Sequence, residues 1–205
     1  MKVFGVDTTR KSAKIFIIND KEYKVYSLGE DEKQSEFLML SIDKFLEENK
    51  TKLSDFDCFS VITGPGSFTG IRVGIATIKA FAYALNKKIV APTVFDIVKD
   101  YVKNDVFLSE CTSTTCYYAE IEKGNIVKCG VVEKSEIGLF KKSLFILEDE
   151  HNLAELAYKF NVLKSYSNLC ADKMHQLANN QLFNSPEPYY IQLSQAERNL
   201  EKKND

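Results

Sequence analysis

The chain has 205 residues, 44% of them hydrophobic, and its 27 Lys and Arg against 29 Asp and Glu leave a formal net charge of −2 at pH 7. That apolar content is ample for a packed core in one domain or two small ones, and the interspersed charges exclude the basic footprint by which a protein binds RNA tightly on its own. Met1-Lys2 leads straight into a strand pattern and no apolar run approaches membrane-spanning length, so neither a signal peptide nor a transmembrane helix is expected, and the expected location is the cytoplasm.

Residues 2–7, 12–19 and 22–27 read as three strands joined by a polar turn and a short hairpin connection at Lys21. A helix over 35–49, a strand over 59–63, a helix over 71–85, a strand over 88–91 and a helix over 93–102 follow. Laying Val3 on Val106 also lays Phe4 on Phe107, Asp7 on Glu110, Ser12 on Thr115, Ile18 on Ile121 and Tyr23 on Ile126, without a gap. Common origin and a chance likeness between two three-stranded meanders both account for this. The second copy is predicted to hold strands over 105–109, 116–122, 126–133 and 144–147, and helices over 152–160 and 168–181. The charged run 197–205 reads as a solvated helix end or frayed tail. Three strands followed by alternating helices and strands form the mixed-sheet α/β plan of the actin-like ATPase (ASKHA, ribonuclease H-like) fold, here with a reduced second half. The expected halves are 1–104 and 105–205, with the final helix free to pack back on the first.

The most specific segment is Val61-Ile62-Thr63-Gly64-Pro65-Gly66-Ser67-Phe68-Thr69-Gly70-Ile71-Arg72-Val73-Gly74, an apolar strand entering a tight turn and then a helix. Such a turn aims N–H groups above the helix start and invites a phosphate. A P-loop needs Lys and then Ser or Thr after its last glycine, whereas Ile71 and Arg72 follow Gly70; the Rossmann glycine spacing and the Gly-x-Ser-x-Gly elbow are also absent. The glycines then serve either a ligand or, as the favoured reading, a tight turn and close helix contacts, with Ser67 or Thr69 as the helix cap.

As a whole string, this segment resembles the signature of the TsaB (YeaZ) family of bacterial proteins required for the threonylcarbamoyladenosine modification of tRNA. Phe4-Gly5-Val6-Asp7-Thr8-Thr9 is similar to the family's first strand and turn, Lys33-Gln34-Ser35-Glu36-Phe37-Leu38 to its His-Ser helix start with Gln34 replacing the histidine, and Pro188-Tyr189-Tyr190-Ile191 to its closing Pro-x-Tyr-Leu motif. The likeness is strong over residues 1 to 100 and thin from there to the closing motif. Gly64, Pro65, Gly66, Ser67 and Gly70 are carried over as a structural signature turn.

The fold implied by that resemblance holds a nucleotide between its halves when active. Asp7 and Glu110 stand where an acid could meet magnesium, although Asp7 also suits capping of its own turn through Thr8 and Thr9. The second half has only the scattered Gly124, Gly130 and Gly138, so no phosphate loop is expected. TsaD, the catalytic relative, holds its metal with a His-x-x-x-His pair; the only histidines here are His151 and His175, so neither a metal nor a cofactor is expected. Cys58, Cys111, Cys116, Cys129 and Cys170 form no Cys-x-x-Cys pair and read as reduced thiols, with Cys111 and Cys116 a weaker candidate redox pair.

On the helix over 71–85, Ile71, Ile75, Ile78, Ala82 and Leu85 form a core stripe. Val73, Ala76, Ala80 and Tyr83 form a second apolar band, while Gly70, Gly74 and Thr77 leave room for a neighbouring backbone. On the helix over 35–49, Phe37, Met39 and Leu40 likewise spread beyond the core positions Leu38, Ile42, Phe45 and Leu46. Either the helices are sandwiched within one domain or a partner covers them. The resemblance implies the second: a non-catalytic subunit that binds and activates the TsaD transferase through these helices, works with TsaE in a larger complex, pairs with itself when TsaD is absent, and meets tRNA only through the complex. Phe37, Leu40, Val73, Ala76, Ala80 and Tyr83 are the expected contacts. The alternative is a free-standing peptidase or a small-molecule kinase of the actin-like fold.

Overall fold

The computed structural model describes residues 1–20, 22–29, 33–148, 150–163 and 165–192. It divides into two compact units, one formed by Met1–Ile97 with Ser167–Tyr189, the other by Val98–Tyr166 with the described residues from Tyr190 onward.

In the first unit β1 (Lys2–Asp7), β2 (Lys14–Asn19), β3 (Glu22–Ser27), β4 (Cys58–Val61) and β5 (Lys88–Val90) form a mixed sheet of order β3-β2-β1-β4-β5. β1 pairs antiparallel with β2, placing Phe4 opposite Ile17, and parallel with β4, placing Phe4 beside Phe59. As the central strand it is covered on both faces, which explains its unbroken apolar run. One face carries α1 (Gln34–Glu48) and α2 (Phe68–Ala84), whose Leu38, Ile42, Phe45, Ile71, Ile75 and Ile78 close over Phe4, Val6, Phe56 and Phe59. Phe4 meets Phe56 at 5.4 Å and Phe59 at 6.2 Å between ring centroids, in the tilted and edge-on geometries that aromatic quadrupoles favour. α5 (Tyr166–Asn179) also lies on β1: Gly5 has no side chain where a Cβ would stand 2.6 Å from Met174 Sδ.

Local chemistry sets the helix ends. Ser67 caps α2 by accepting a 3.1 Å hydrogen bond from the Gly70 N–H, and the helix stops at Asn86, whose φ of 50° lets Lys87 N–H return 2.9 Å to Ala82 O. α3 (Val94–Val102) starts in a reciprocal box: the Asp96 N–H donates to Thr93 Oγ1 at 3.0 Å while Thr93 N–H and hydroxyl donate to Asp96 Oδ2 at 3.0 and 2.7 Å. The edge beside β5 is occupied by residues returning from far along the chain, since Asn184 N–H donates to Ile89 O at 3.0 Å and Asn184 Oδ1 accepts from Ala91 N–H at 2.9 Å.

The second unit repeats the strand plan. β6 (Val106–Glu110), β7 (Thr115–Glu122), β8 (Asn125–Glu133), β9 (Leu144–Leu147) and β10 (Phe160–Leu163) form a sheet of order β10-β9-β6-β7-β8. The reduction expected of the second half therefore falls on its helices: a 3-10 segment, Lys134–Leu139, stands where the first half has α1, and the four-residue α4 (His151–Ala154) where it has α2. The helix predicted over 152–160 is corrected accordingly. The chain turns after Ala154, with Leu156 N–H donating to Leu153 O at 3.1 Å and Tyr158 N–H to Leu156 O at 2.7 Å, and Phe160–Leu163 then runs as a strand parallel to β9 while Leu156, Tyr158 and Phe160 pack on the second core. The predicted strand over 12–19 starts at Lys14, because Ser12 turns its hydroxyl to Leu28 O at 2.5 Å. The charged run 197–205 lies outside the described residues.

A Cβ at Gly70 would stand 2.0 Å from Thr8 O, and one at Gly66 2.2 Å from Thr9 O. Both obstacles are backbone, so relief requires the turn to move. Gly70→Ala and Gly66→Val are each expected to cost about 3 kcal/mol, read as a fall of roughly 6–12 °C in the melting temperature followed by circular dichroism.

Candidate partner-binding face and the turn beneath it

The turn after β1 is built by Asp7, which is 1% exposed and accepts from the Thr9 N–H at 2.9 Å and the Thr9 hydroxyl at 2.7 Å through Oδ1. These bonds give Asp7 the turn-capping role anticipated for it. The turn then rests on the glycines of the signature. Gly66 faces Thr9 O, Gly70 faces Thr8 O, and Gly74 faces Thr8 Oγ1, where a Cβ would lie 2.2 Å away. Ser67 N–H donates to Thr9 O at 2.8 Å. Gly70 thus leaves room for a backbone of the chain's own first unit, whereas Gly74 leaves room for the Thr8 side chain.

Two further groups hold this constellation, and neither had been assigned a contact from sequence. Gln34, standing where the resembling family has histidine, donates through Nε2 to Arg10 O at 2.5 Å and Lys11 O at 3.0 Å, tying the start of α1 to the same turn. Tyr189 of the closing motif donates its N–H to Thr63 O at 2.8 Å. Its own carbonyl fills the space beside Gly64, whose φ of 127° suits glycine, and its ring meets Phe95 edge-on at 6.2 Å. Pro65, joined to Gly64 by a cis bond, is buried, whereas Ser67 is exposed.

Above this base, the outer face of α1 and α2 carries uncovered apolar side chains. Leu40 is 66% exposed, Tyr83 92% and Phe37 38%, and Ala76 and Ala80 are exposed beside Tyr83 at the i, i+4 and i+7 positions of α2. Val73 differs: it is half-buried and packs against the first core. Met39 is 47% exposed on another flank of α1. Arg72 and Lys79 border the α2 band, and Lys79 pairs with Glu187 at 3.2 Å, an exposed contact of small energetic consequence.

Glu110 and His175, two other candidates, have side-chain partners of their own. Glu110 carries an ion pair with Lys134 at 3.2 Å and accepts from Asn152 Nδ2 at 3.0 Å. His175 meets Asn179 Nδ2 at 2.9 Å and stands 3.8 Å from Asp20. Among the described residues no three His, Cys, Asp or Glu side chains converge as metal ligands, and no helix is long and apolar enough to cross a membrane. All five cysteines are free thiols; Cys58, Cys116 and Cys170 are buried, and Cys111 and Cys129 half-buried. Burial, aided by Asp57, pushes the Cys58 thiol up to about 11, and burial pushes Cys116 up to about 12.

A family model for tRNA N6-adenosine threonylcarbamoyltransferase (TsaD) matches residues 31–92, the stretch containing α1, the signature turn and α2. The tRNA N6-adenosine threonylcarbamoyltransferase of Brachyspira hyodysenteriae is 29% identical over 108 residues, covering 44% of this chain and 32% of that protein. The tRNA threonylcarbamoyladenosine biosynthesis protein TsaB of Escherichia coli is 24% identical over 82 residues, covering 40% of this chain and 36% of that one. The chain thus spans about a third of the length of the curated relatives it matches. The structure of YeaZ from Pseudomonas aeruginosa has the same fold, with a TM-score of 0.68 and 14% identity, covering 93% of this chain and 99% of that chain.

The thiols give a direct check on this geometry. Native alkylation followed by mass spectrometry is expected to label Cys111 and Cys129 well before Cys58, Cys116 and Cys170. An unfolded thiol ionises near 9.0, below the folded values of about 11 and 12, so only the unfolded chain gains these charges as pH rises through that window. The stability they contribute is full below pH 9 and is lost toward pH 11–12, and melting curves of Cys58→Ala and Cys116→Ala should lose this part of the alkaline slope.

Proposed function

We propose that the chain is a member of the TsaB (YeaZ) family and serves tRNA N6-threonylcarbamoyladenosine formation as a non-catalytic subunit, binding and activating a TsaD-type transferase through the outer face of α1 and α2. It acts in the cytoplasm, joins TsaE in a larger assembly, pairs with a second copy when the transferase is absent, and reaches tRNA only through the complex. The observation that carries this reading is the exposure of Leu40 and Tyr83 at 66% and 92% on two neighbouring helices. Both lie in the stretch that matches the transferase family model.

The physical role of the face is to exclude water. Covering a Leu or a similar side chain contributes about 1.5–3 kcal/mol, and tyrosines are favoured anchors at the centres of interfaces. A stable pair needs roughly 800 Å² from each partner, which two adjacent helix faces supply. Phe37, Leu40, Ala76, Ala80 and Tyr83 are the contacts we assign, with half-buried Val73 at their margin. Gly64, Pro65, Gly66, Ser67 and Gly70 serve the face by fixing the start of α2. The groups that could serve chemistry elsewhere have internal partners, Asp7 in Thr9 and Glu110 in Lys134, which supports the non-catalytic reading over a peptidase or kinase.

Ala80→Glu tests the proposal. A charge on this face must be desolvated against an apolar partner, so affinity for the TsaD-type transferase of the same organism should fall tenfold or more by calorimetry, while the melting temperature changes little. Depleting the protein in cells should lower threonylcarbamoyladenosine in total tRNA, measured by nucleoside mass spectrometry. Normal binding by Ala80→Glu would move the interface to another face, and unchanged nucleoside levels would overturn the role itself.

A further inference from the structure

The second unit buries a carboxylate whose partners are arranged as an anion site. Glu150 is 2% exposed. Its Oε1 accepts from the Ser109 hydroxyl at 2.5 Å, and its Oε2 accepts from the Glu110 N–H at 2.9 Å. Both distances are those of charge-assisted hydrogen bonds to a carboxylate. Lys134, whose side chain is 13% exposed, pairs at 3.2 Å with the Glu110 side chain, so the second carboxylate at this strand end is offset and the donors to Glu150 are the Ser109 hydroxyl and the Glu110 N–H.

The location is informative. β6 and β9 are parallel neighbours, β6 ending at Glu110 and β9 at Leu147. Carboxyl ends of adjacent parallel strands are where open α/β sheets receive their ligands. Register sharpens the point. Val3 pairs with Cys58 in the first sheet and Val106 pairs with Leu144 in the second, so position 150 corresponds to position 64. The first half has Gly64 there, with no side chain; the second half has a glutamate turned back onto the strand end.

We propose that Glu150 is an internal anion, occupying with its own carboxylate the donor set that the carboxyl end of the second sheet would otherwise offer to a small carboxylate or phosphate. The second half is closed to such ligands by a covalently attached competitor. This assignment is independent of the partner-binding role, because it concerns donors within the second unit alone.

Removing the side chain turns the claim into a rescue experiment. Glu150→Ala removes the carboxylate that accepts from the Ser109 hydroxyl and the Glu110 N–H and is expected to lower the melting temperature of the full chain by roughly 5–10 °C. Sodium acetate or formate should then restore at least half of the loss, whereas sodium chloride at equal ionic strength should not, and the wild type should respond to neither carboxylate. Glu150→Gln keeps the volume but not the charge or the second acceptor oxygen, so it should also melt lower and show no response to acetate. Wild-type stability in either variant, or an equal response of Glu150→Ala to acetate and chloride, would overturn the proposal. Should Glu150→Ala fail to fold, the melting temperature of Glu150→Gln decides it: a fall supports the internal anion and a wild-type value removes it.

Discussion

Gly66 before the cap of α2 and Gly70 and Gly74 one helical turn apart within it each lie against an oxygen of Thr8 or Thr9. The start of α2 and the turn after β1 can therefore approach closely because no Cβ intervenes, backbone against backbone at Gly66 and Gly70 and backbone against the Thr8 hydroxyl at Gly74. This closeness places Ile71, Ile75 and Ile78 over the sheet, and the same geometry leaves Ala76, Ala80 and Tyr83 on the side away from it. Gln34 extends the constraint to α1 by holding the carbonyls of Arg10 and Lys11. The two helices that carry the exposed face thus share one fixed reference, the Asp7–Thr9 turn.

The face proposed for binding gains from being rigid before a partner arrives, because ordering that is already complete need not be supplied by the interface. Here rigidity comes from short contacts underneath, while the outer surface stays free of structural duties. Val73 shows where that separation ends, since its side chain is shared between surface and core.

Sequence patterns were most informative where one short segment determines its own structure. The core stripe of α2, the strands of both meanders and the cap at Ser67 were legible because 3.6-residue and two-residue periods, and the needs of a helix start, are written locally. The stretch after β9 departs from the helix predicted over 152–160 because a turn after Ala154 separates the short α4 from β10, and that turn is fixed by packing of Leu156, Tyr158 and Phe160 on the second core. Glu150, Gln34 and Tyr189 were harder for another reason. Each acts on a backbone group distant in sequence, at Ser109 and Glu110, at Arg10 and Lys11, and at Thr63 respectively, and no local pattern encodes such a partner.

The first unit draws on Ser167–Tyr189 as well as on Met1–Ile97. Synthesis proceeds from the amino end, so a nascent chain that has completed β1 to β5 still lacks the Met174 side chain against Gly5 and the Tyr189 amide that meets Thr63. Until those residues leave the ribosome, one surface of the central strand and one side of the signature turn stand open to solvent. In the second unit, by contrast, all five strands fall within the continuous run Val98–Tyr166. Completion of the first unit therefore requires residues synthesised after every strand of the second.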